Sequence, residues 1–278
     1  MTKLSISQLH IYPIKSARGI SLETMQLNRK GPECDRRWMV IDHDNSFITQ
    51  RNSPKLCLIN TQRIDGGLLI SADGAGRCSL PTGGFASKDS SVWGTDVQGQ
   101  DCGDQAADWI SSFLGKKCRI IYMLDNYSRL VDTEFSSQNE QVGFADGFPL
   151  LITSEASLDD FNSKLGNSKL GDSELNDEND FKIGMNRFRP NIVITGNAAW
   201  AEDQWQKIAI GDIEFSLVKP CSRCIIPSID PQTANKQMQV NQTLLKYRRR
   251  DGKTYFGQNA LYDRLGTINV GDTVRVIS

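Results

Sequence analysis

Residues 205–224 read WQKIAIGDIEFSLVKPCSRC. Trp205 to Ile210 and Ile213 to Val218 carry the apolar/polar alternation of half-buried strands. Gly211-Asp212 between them is a two-residue hairpin turn. The second strand runs straight into Lys219-Pro220-Cys221-Ser222-Arg223-Cys224, so the hairpin delivers two cysteines and an arginine to one strand end. Nearby cations favour the thiolate, the form of cysteine that binds soft metals and attacks electrophiles. A closed structural zinc site needs four ligands. No second C-x-x-C exists, and His10 and His43 are the only histidines. A thioredoxin-like dithiol opens a helix, whereas Pro227 and Pro231 follow this pair.

Outward from that hairpin the chain is rich in short strands. Leu4 to Tyr12 alternates, and Ser21 to Leu27, Trp38 to Ile41 and Phe47 to Arg51 follow as candidates. Leu56 to Arg63, Gly67 to Ala72, Arg77 to Leu80, Ser91 to Gln98 and Cys118 to Leu124 continue the series, a spacing that suggests a barrel or sandwich. Ala106 to Leu114 has helical periodicity and ends at Gly115, a suitable C-cap. Residues 125–146 are polar and aperiodic, which divides the chain into 1–124 and 125–278. Phe148 to Thr153 reads as a strand, and Ser154 as the cap of a helix. The near-repeat NSKLG-NSKLG-DSEL and the acidic residues after it make 162–180 a surface excursion. Leu244 to Arg250 reads as a short basic helix, Phe256 to Asn259 as the head of a strand, and Thr267 to Ile277 as a closing hairpin. The fold class is mainly β with a few helices, α+β.

The 278 residues carry a net charge of -1. That balance argues against nucleic acid or an anionic membrane as the main partner, and no uncharged run approaches a membrane span. Seven cysteines, without a signal-peptide core at the N-terminus, indicate a reducing, cytoplasmic location. Lys15, Ser16, Arg36, Arg189, Asn191 and Arg223 all stand where a strand meets a loop. Convergence of those ends makes a cationic pocket beside a thiolate. Arginine suits the bidentate grip of phosphate, and the scarcity of histidine leaves the hard chemistry to a cofactor.

Y-P-I-K-S-x-R-G, C-D-R-R-W, F-A-D-G-F-P-L-L-I-T-S-E-A-S-L, F-R-P-N-I-V-I-T-G, K-P-C-S-R-C and F-G-Q-N occur in that order from Tyr12 to Asn259. The sequence resembles MOSC-domain proteins, named for the C-terminal domain of molybdenum cofactor sulfurase, that also carry the N-terminal MOSC β-barrel domain. Among them it is similar to the amidoxime reducing component and its bacterial relatives. The resemblance implies a MOSC β-barrel plus an N-terminal barrel-like subdomain, and a molybdopterin oxidoreductase that reduces N-hydroxylated compounds. Cys224 matches the molybdenum ligand, a soft thiolate suited to that metal. Lys15, Ser16 and Arg36 match residues that hold the pterin cofactor. Arg189, Asn191, Ser222 and Arg223 match its contacts in the second domain, and Asn259 falls at a further one. Ser154 is a candidate from its helix-entry position, and Cys221 is either a supporting thiol or a packing residue.

Two departures carry consequences. Asn197 stands where some relatives have a second cysteine after F-R-P-N-I-V-I-x-G. Certain bacterial relatives continue into a ferredoxin-like domain, but this chain stops at Ser278 without a four-cysteine cluster signature. No iron–sulfur cluster is therefore expected, and electrons must come from a separate flavoprotein or iron–sulfur reductase. The expected protein is a monomer acting on a small N-hydroxylated substrate. The alternative from another functional class is a carrier that binds the cofactor and hands it on without turnover.

Overall fold

The computed structural model describes residues 3–136, 138–166 and 181–278. Its largest unit is a nine-stranded sheet running Val274–Val276, Lys207–Ile210, Ile213–Arg223, Lys253–Tyr262, Leu150–Ser154, Ile192–Thr195, Ser5–Ile11 and Ile20–Leu22, with Arg249–Arg250 also on Lys253–Tyr262. A bridge between Ser5 and Thr273 brings the first strand back to the last and curls the sheet into a barrel. Ile6, Leu9, Ile152, Ile192, Ile194, Ile208, Ile210 and Phe215 fill it. Leu150–Ser154 and Ile192–Thr195 form the parallel pair among these strands. Parallel neighbours need a crossover, and it begins with helix α1 at Glu155–Gly166. Ser154 Oγ accepts the Ser157 N–H at 3.4 Å, the capping role expected of it.

A second core lies among residues 14–124. A four-stranded sheet (Trp38–Asp42, Cys118–Tyr122, Thr95–Asp101, Ser87–Val92) and a three-stranded sheet (Asn60–Ile64, Gly67–Ala72, Gly76–Pro81) share it. Helix α2, Asp104–Leu114, contributes Ala106 and Ile110 and stops at Gly115 in the left-handed conformation. Trp38 is fully buried there and donates to the Pro81 carbonyl at 3.3 Å. The strands of the two regions interleave: Ser5–Ile11 and Ile20–Leu22 belong to the large barrel, and Thr24–Asn28 pairs with Gly266–Asn269. No helix among the described residues is long and apolar enough to cross a membrane.

Several local expectations need correction. Phe47 makes only an isolated bridge to Ile41, and residues 48–51 turn into a loop. Leu56 to Arg63 divides into a 3-10 turn at Pro54–Leu58, begun by its proline, and the strand Asn60–Ile64. The helix expected at 244–250 is Met238–Tyr247, helix α3, and Arg249–Arg250 is already strand. The closing hairpin does not form: Gly266–Asn269 joins Thr24–Asn28 while Val274–Val276 joins Lys207–Ile210. Each arm meets a different sheet edge, a long-range choice that alternation cannot report. Residues 162–166 of the expected excursion are the end of α1, and 167–180 lie outside the described residues.

Candidate functional site

The strand Ile213–Arg223 pairs with Lys253–Tyr262, with register shifts at 217/219 and 220/222. Such bulges bend a strand and re-aim its side chains, and they occur where Pro220 cannot donate to the ladder. On the partner strand, a Cβ at Gly257 would stand 2.7 Å from Thr153 Cγ2, at φ +78. The distorted strand end carries Cys221, Ser222 and Arg223 into a cleft, with Cys224 immediately after. Both cysteines are half-buried free thiols.

The first region supplies the facing wall. Lys15 and Ser16 follow the strand Ser5–Ile11, and Arg36 precedes Trp38–Asp42. Ser16, Arg36 and Arg189 all adopt left-handed backbone, with φ of 73, 45 and 57. Non-glycine residues held there store strain of about 1 kcal/mol or more, a feature that gathers at functional sites. Gln50 Nε2 donates to the Ser16 carbonyl at 2.6 Å and holds that turn. Phe188 stacks on Phe256 with ring centroids 3.7 Å apart, which anchors the segment presenting Arg189.

Nine of the ten residues marked in the sequence line this one cleft: Lys15, Ser16, Arg36, Arg189, Asn191, Ser222, Arg223, Cys224 and Asn259. The space they enclose, open mouth included, is about 820 Å3. Ser154 is the exception. It is fully buried, accepts from Asn197 Nδ2 at 2.8 Å, and lies outside the lining. Asn197 thus spends its amide on that serine.

The polar side chains form one connected frame. Arg36 Nη1 donates to both oxygens of Asp35 at 2.7 Å, and its Nη2 to the Arg189 carbonyl at 3.1 Å. Asp35 also accepts the Tyr12 N–H at 2.7 Å and Asn191 Nδ2 at 3.1 Å. The Arg36 and Arg189 guanidiniums lie 4.3 and 4.2 Å from the Tyr12 ring centroid. Burial, reinforced by neighbouring Arg36, lowers Arg189 from 12.5 to about 10. Arg189 Nη1 donates to the Ala17 carbonyl at 2.6 Å, but its buried Nη2 has no partner. Arg223 Nη1 reaches Cys221 Sγ at 3.0 Å and Nη2 the Phe188 carbonyl at 2.8 Å, while buried Nε is also unpaired. The thiol that Arg223 touches is therefore that of Cys221. Lys219 turns away, 4.2 Å from the Phe135 ring centroid.

Sequence reasoning missed Arg51 and Asp146. Lys15 Nζ donates to the Phe144 carbonyl at 2.8 Å and to Asp146 Oδ1 at 2.5 Å. Burial lowers the Lys15 pKa and Asp146 opposes it. Burial alone would raise Asp146, but the Lys15 ammonium, the Trp93 N–H and Arg51 outweigh it and hold the carboxyl well below the usual range. Arg129 fixes the loop that carries Asp146 by donating to the Gly143 and Ala145 carbonyls at 2.8 and 2.6 Å. The sequence signal was the F-A-D-G-F motif, whose aspartate is the only acid in it.

Five cations and one carboxylate line the cleft. That balance attracts a polyanion, and two buried guanidinium nitrogens, Arg189 Nη2 and Arg223 Nε, are left without an acceptor. Among the described residues no third histidine, cysteine or carboxylate joins Cys221 and Cys224; the sole cluster that could hold a metal by protein ligands alone is the exposed Asp42-His43-Asp44 turn. Neither cysteine therefore belongs to a metal site built from protein ligands alone.

The MOSC N-terminal beta barrel domain model matches residues 3–117, and the MOSC domain model matches 139–275. Mitochondrial amidoxime reducing component 2 of Bos taurus is 35% identical, over 97% of this chain and 82% of that protein. Component 1 of Mus musculus is 35% identical over 98% and 82%, and component 1 of Homo sapiens 33% over 98% and 83%. The chain belongs to the MOSC-domain family, among the members that also carry the N-terminal MOSC β-barrel domain.

Proposed function

We propose that the protein is a molybdenum-cofactor-dependent oxidoreductase that reduces N-hydroxylated compounds such as hydroxylamines, amidoximes and N-hydroxylated bases. The observation that carries this reading is the convergence of nine separately marked residues on one cationic cleft beside a free thiol. Relatives similar over nearly the whole chain are named for amidoxime reduction. The donor set fits the cofactor: the orphaned Arg189 Nη2 and Arg223 Nε are buried N–H groups that a phosphate or pterin acceptor satisfies. When bound, the cofactor supplies a metal able to exchange two electrons with the substrate.

The chain's own residues bind and orient. Cys224 is the metal's protein ligand, its thiolate matched to a soft centre. Lys15, Arg36, Arg189 and Arg223 neutralise the cofactor's negative charge, and Ser16, Asn191, Ser222 and Asn259 add hydrogen bonds. Asp35 holds Arg36 through two bonds and so fixes the direction of its fork. Residues 1–124 and 125–278 contribute one wall each. Electrons come from a separate flavoprotein or iron–sulfur reductase, met by a cytoplasmic monomer in a transient encounter of the kind redox partners use.

The test is turnover. Protein purified from a cofactor-competent host and supplied with a chemical reductant should convert benzamidoxime to benzamidine. Full molybdenum loading with no turnover of any N-hydroxylated compound tried would favour the carrier function instead.

A further inference from the structure

At the rim of the cleft, Ser87–Val92 and Thr95–Asp101 form a hairpin in which Val92 pairs with Thr95. Its two-residue loop is Trp93-Gly94, with φ of 54 and 83. Positive φ at both loop positions is the type I′ geometry, which favours Asn, Asp or Gly at the first. Tryptophan there works against the turn. It gains no compensating burial either, since Trp93 is 52% exposed. A residue that breaks a local turn preference while staying half exposed points to function.

The indole is nonetheless held fast. Its Nε1 donates to Asp146 Oδ1 at 3.0 Å, the Arg51 guanidinium lies 4.6 Å from the ring centroid, and Phe47 packs edge-on at 5.1 Å. Arg51 and Asp146 are themselves cleft-lining residues. Trp93 is thus a half-exposed aromatic side chain tied to the cleft mouth. Asp146 beside it is 59% exposed, and Arg51 approaches its Oδ2 only to 3.7 Å, beyond hydrogen-bond reach. Oδ2 retains acceptor capacity toward an incoming N–H.

We propose that Trp93 is a specificity-determining residue that stacks the flat ring of aryl-bearing substrates while Asp146 Oδ2 accepts an N–H from the planar group that carries the N–O bond. The inference rests on the reductase function and adds a preference for aryl amidoximes over alkyl ones. Ring stacking on an exposed aromatic accounts for about five- to tenfold in affinity.

The experiment is calorimetric titration of purified holoprotein, without electron donor, with benzamidoxime and with acetamidoxime. In Trp93→Ala the dissociation constant for benzamidoxime should rise about five- to tenfold, and that for acetamidoxime by less than about twofold. Trp93→Phe should restore most of the benzamidoxime affinity. Trp93→Asn places a favoured residue in the turn, so the same selective loss in that variant cannot come from a loosened hairpin. Equal weakening of both ligands, no weakening, or no benzamidoxime binding by the parent protein overturns the proposal. Selective binding without turnover under chemical reductant would sink the reductase function and leave the stacking site standing.

Discussion

Arg189→Met should leave the cofactor-free protein nearly as stable as the parent while sharply reducing its hold on the pterin. Burial beside Arg36 lowers Arg189 from 12.5 to about 10, a penalty on the charged form of roughly 3 kcal/mol. Against it stand the charge-assisted bond to the Ala17 carbonyl, about 1.5–3 kcal/mol, and the guanidinium over Tyr12, about 0.5–1 kcal/mol. The difference is within about 1 kcal/mol, or roughly 2–4 °C in Tm for a chain of this size. The unfolded chain binds the extra proton only between pH 10 and 12.5, so this group makes stability rise with pH there and adds a constant cost at pH 7. In the loaded protein the same guanidinium has an anionic partner, and losing one charge-assisted bond of about 1.5–3 kcal/mol lowers affinity about ten- to a hundredfold. Urea denaturation at pH 7 of protein made without cofactor measures the first quantity. Pterin fluorescence after oxidative release, on protein from a competent host, measures the second. A stability loss of several kcal/mol with pterin content retained would show that Arg189 is a structural strut.

Cys224→Ser should abolish turnover and lower molybdenum retention, because a hydroxyl is a harder and far less acidic ligand. Cys221→Ser should be much milder, loosening Arg223, which donates to that sulfur at 3.0 Å; equal loss in both variants would favour a dithiol mechanism. Glu202 is fully buried with neither carboxyl oxygen hydrogen-bonded, and that burial raises its carboxyl above 4.5. An acid with a raised folded pKa loses stabilisation as pH climbs from 4.5 through the folded value. Glu202→Gln should therefore stabilise the protein at pH 7 and have little effect at pH 4, as read by thermal melts; parallel pH profiles would contradict this. With a hydroxylamine present, the isolated holoprotein should not oxidise NADPH until a flavoprotein or iron–sulfur reductase is added, since the sequence has no nucleotide-binding fingerprint. Substrate-dependent NADPH oxidation without that partner would reveal a built-in electron entry site.

Local signals were legible where a few residues decide the outcome. Gly115 closes its helix, Ser154 caps the next one, and Gly211-Asp212 turns the hairpin that leads to Cys224. Of the marked residues, those inside ordered motifs at strand ends line one cleft. Ser154 does not, because its hydroxyl is occupied by Ser157 N–H and Asn197 at the helix entry. Arg51, Asp146 and Trp93 stayed hidden for a different reason. Their association is set by the packing of the 93–94 turn against the 143–148 loop, contacts between segments about 50 residues apart whose sequences carry no mutual pattern. The closing hairpin failed on the same ground, since partner choice in a sheet depends on edges built elsewhere.

The most direct test of cofactor binding at Cys224 is molybdenum and pterin stoichiometry of protein purified from a cofactor-competent host, compared with Cys224→Ser. The parent chain should carry molybdenum and pterin in equal amounts, approaching one of each per chain, and the variant should lose metal more than pterin because the arginines still grip the organic part. A parent protein that holds neither, or a variant that keeps its full complement of molybdenum, would contradict the assignment of the cleft.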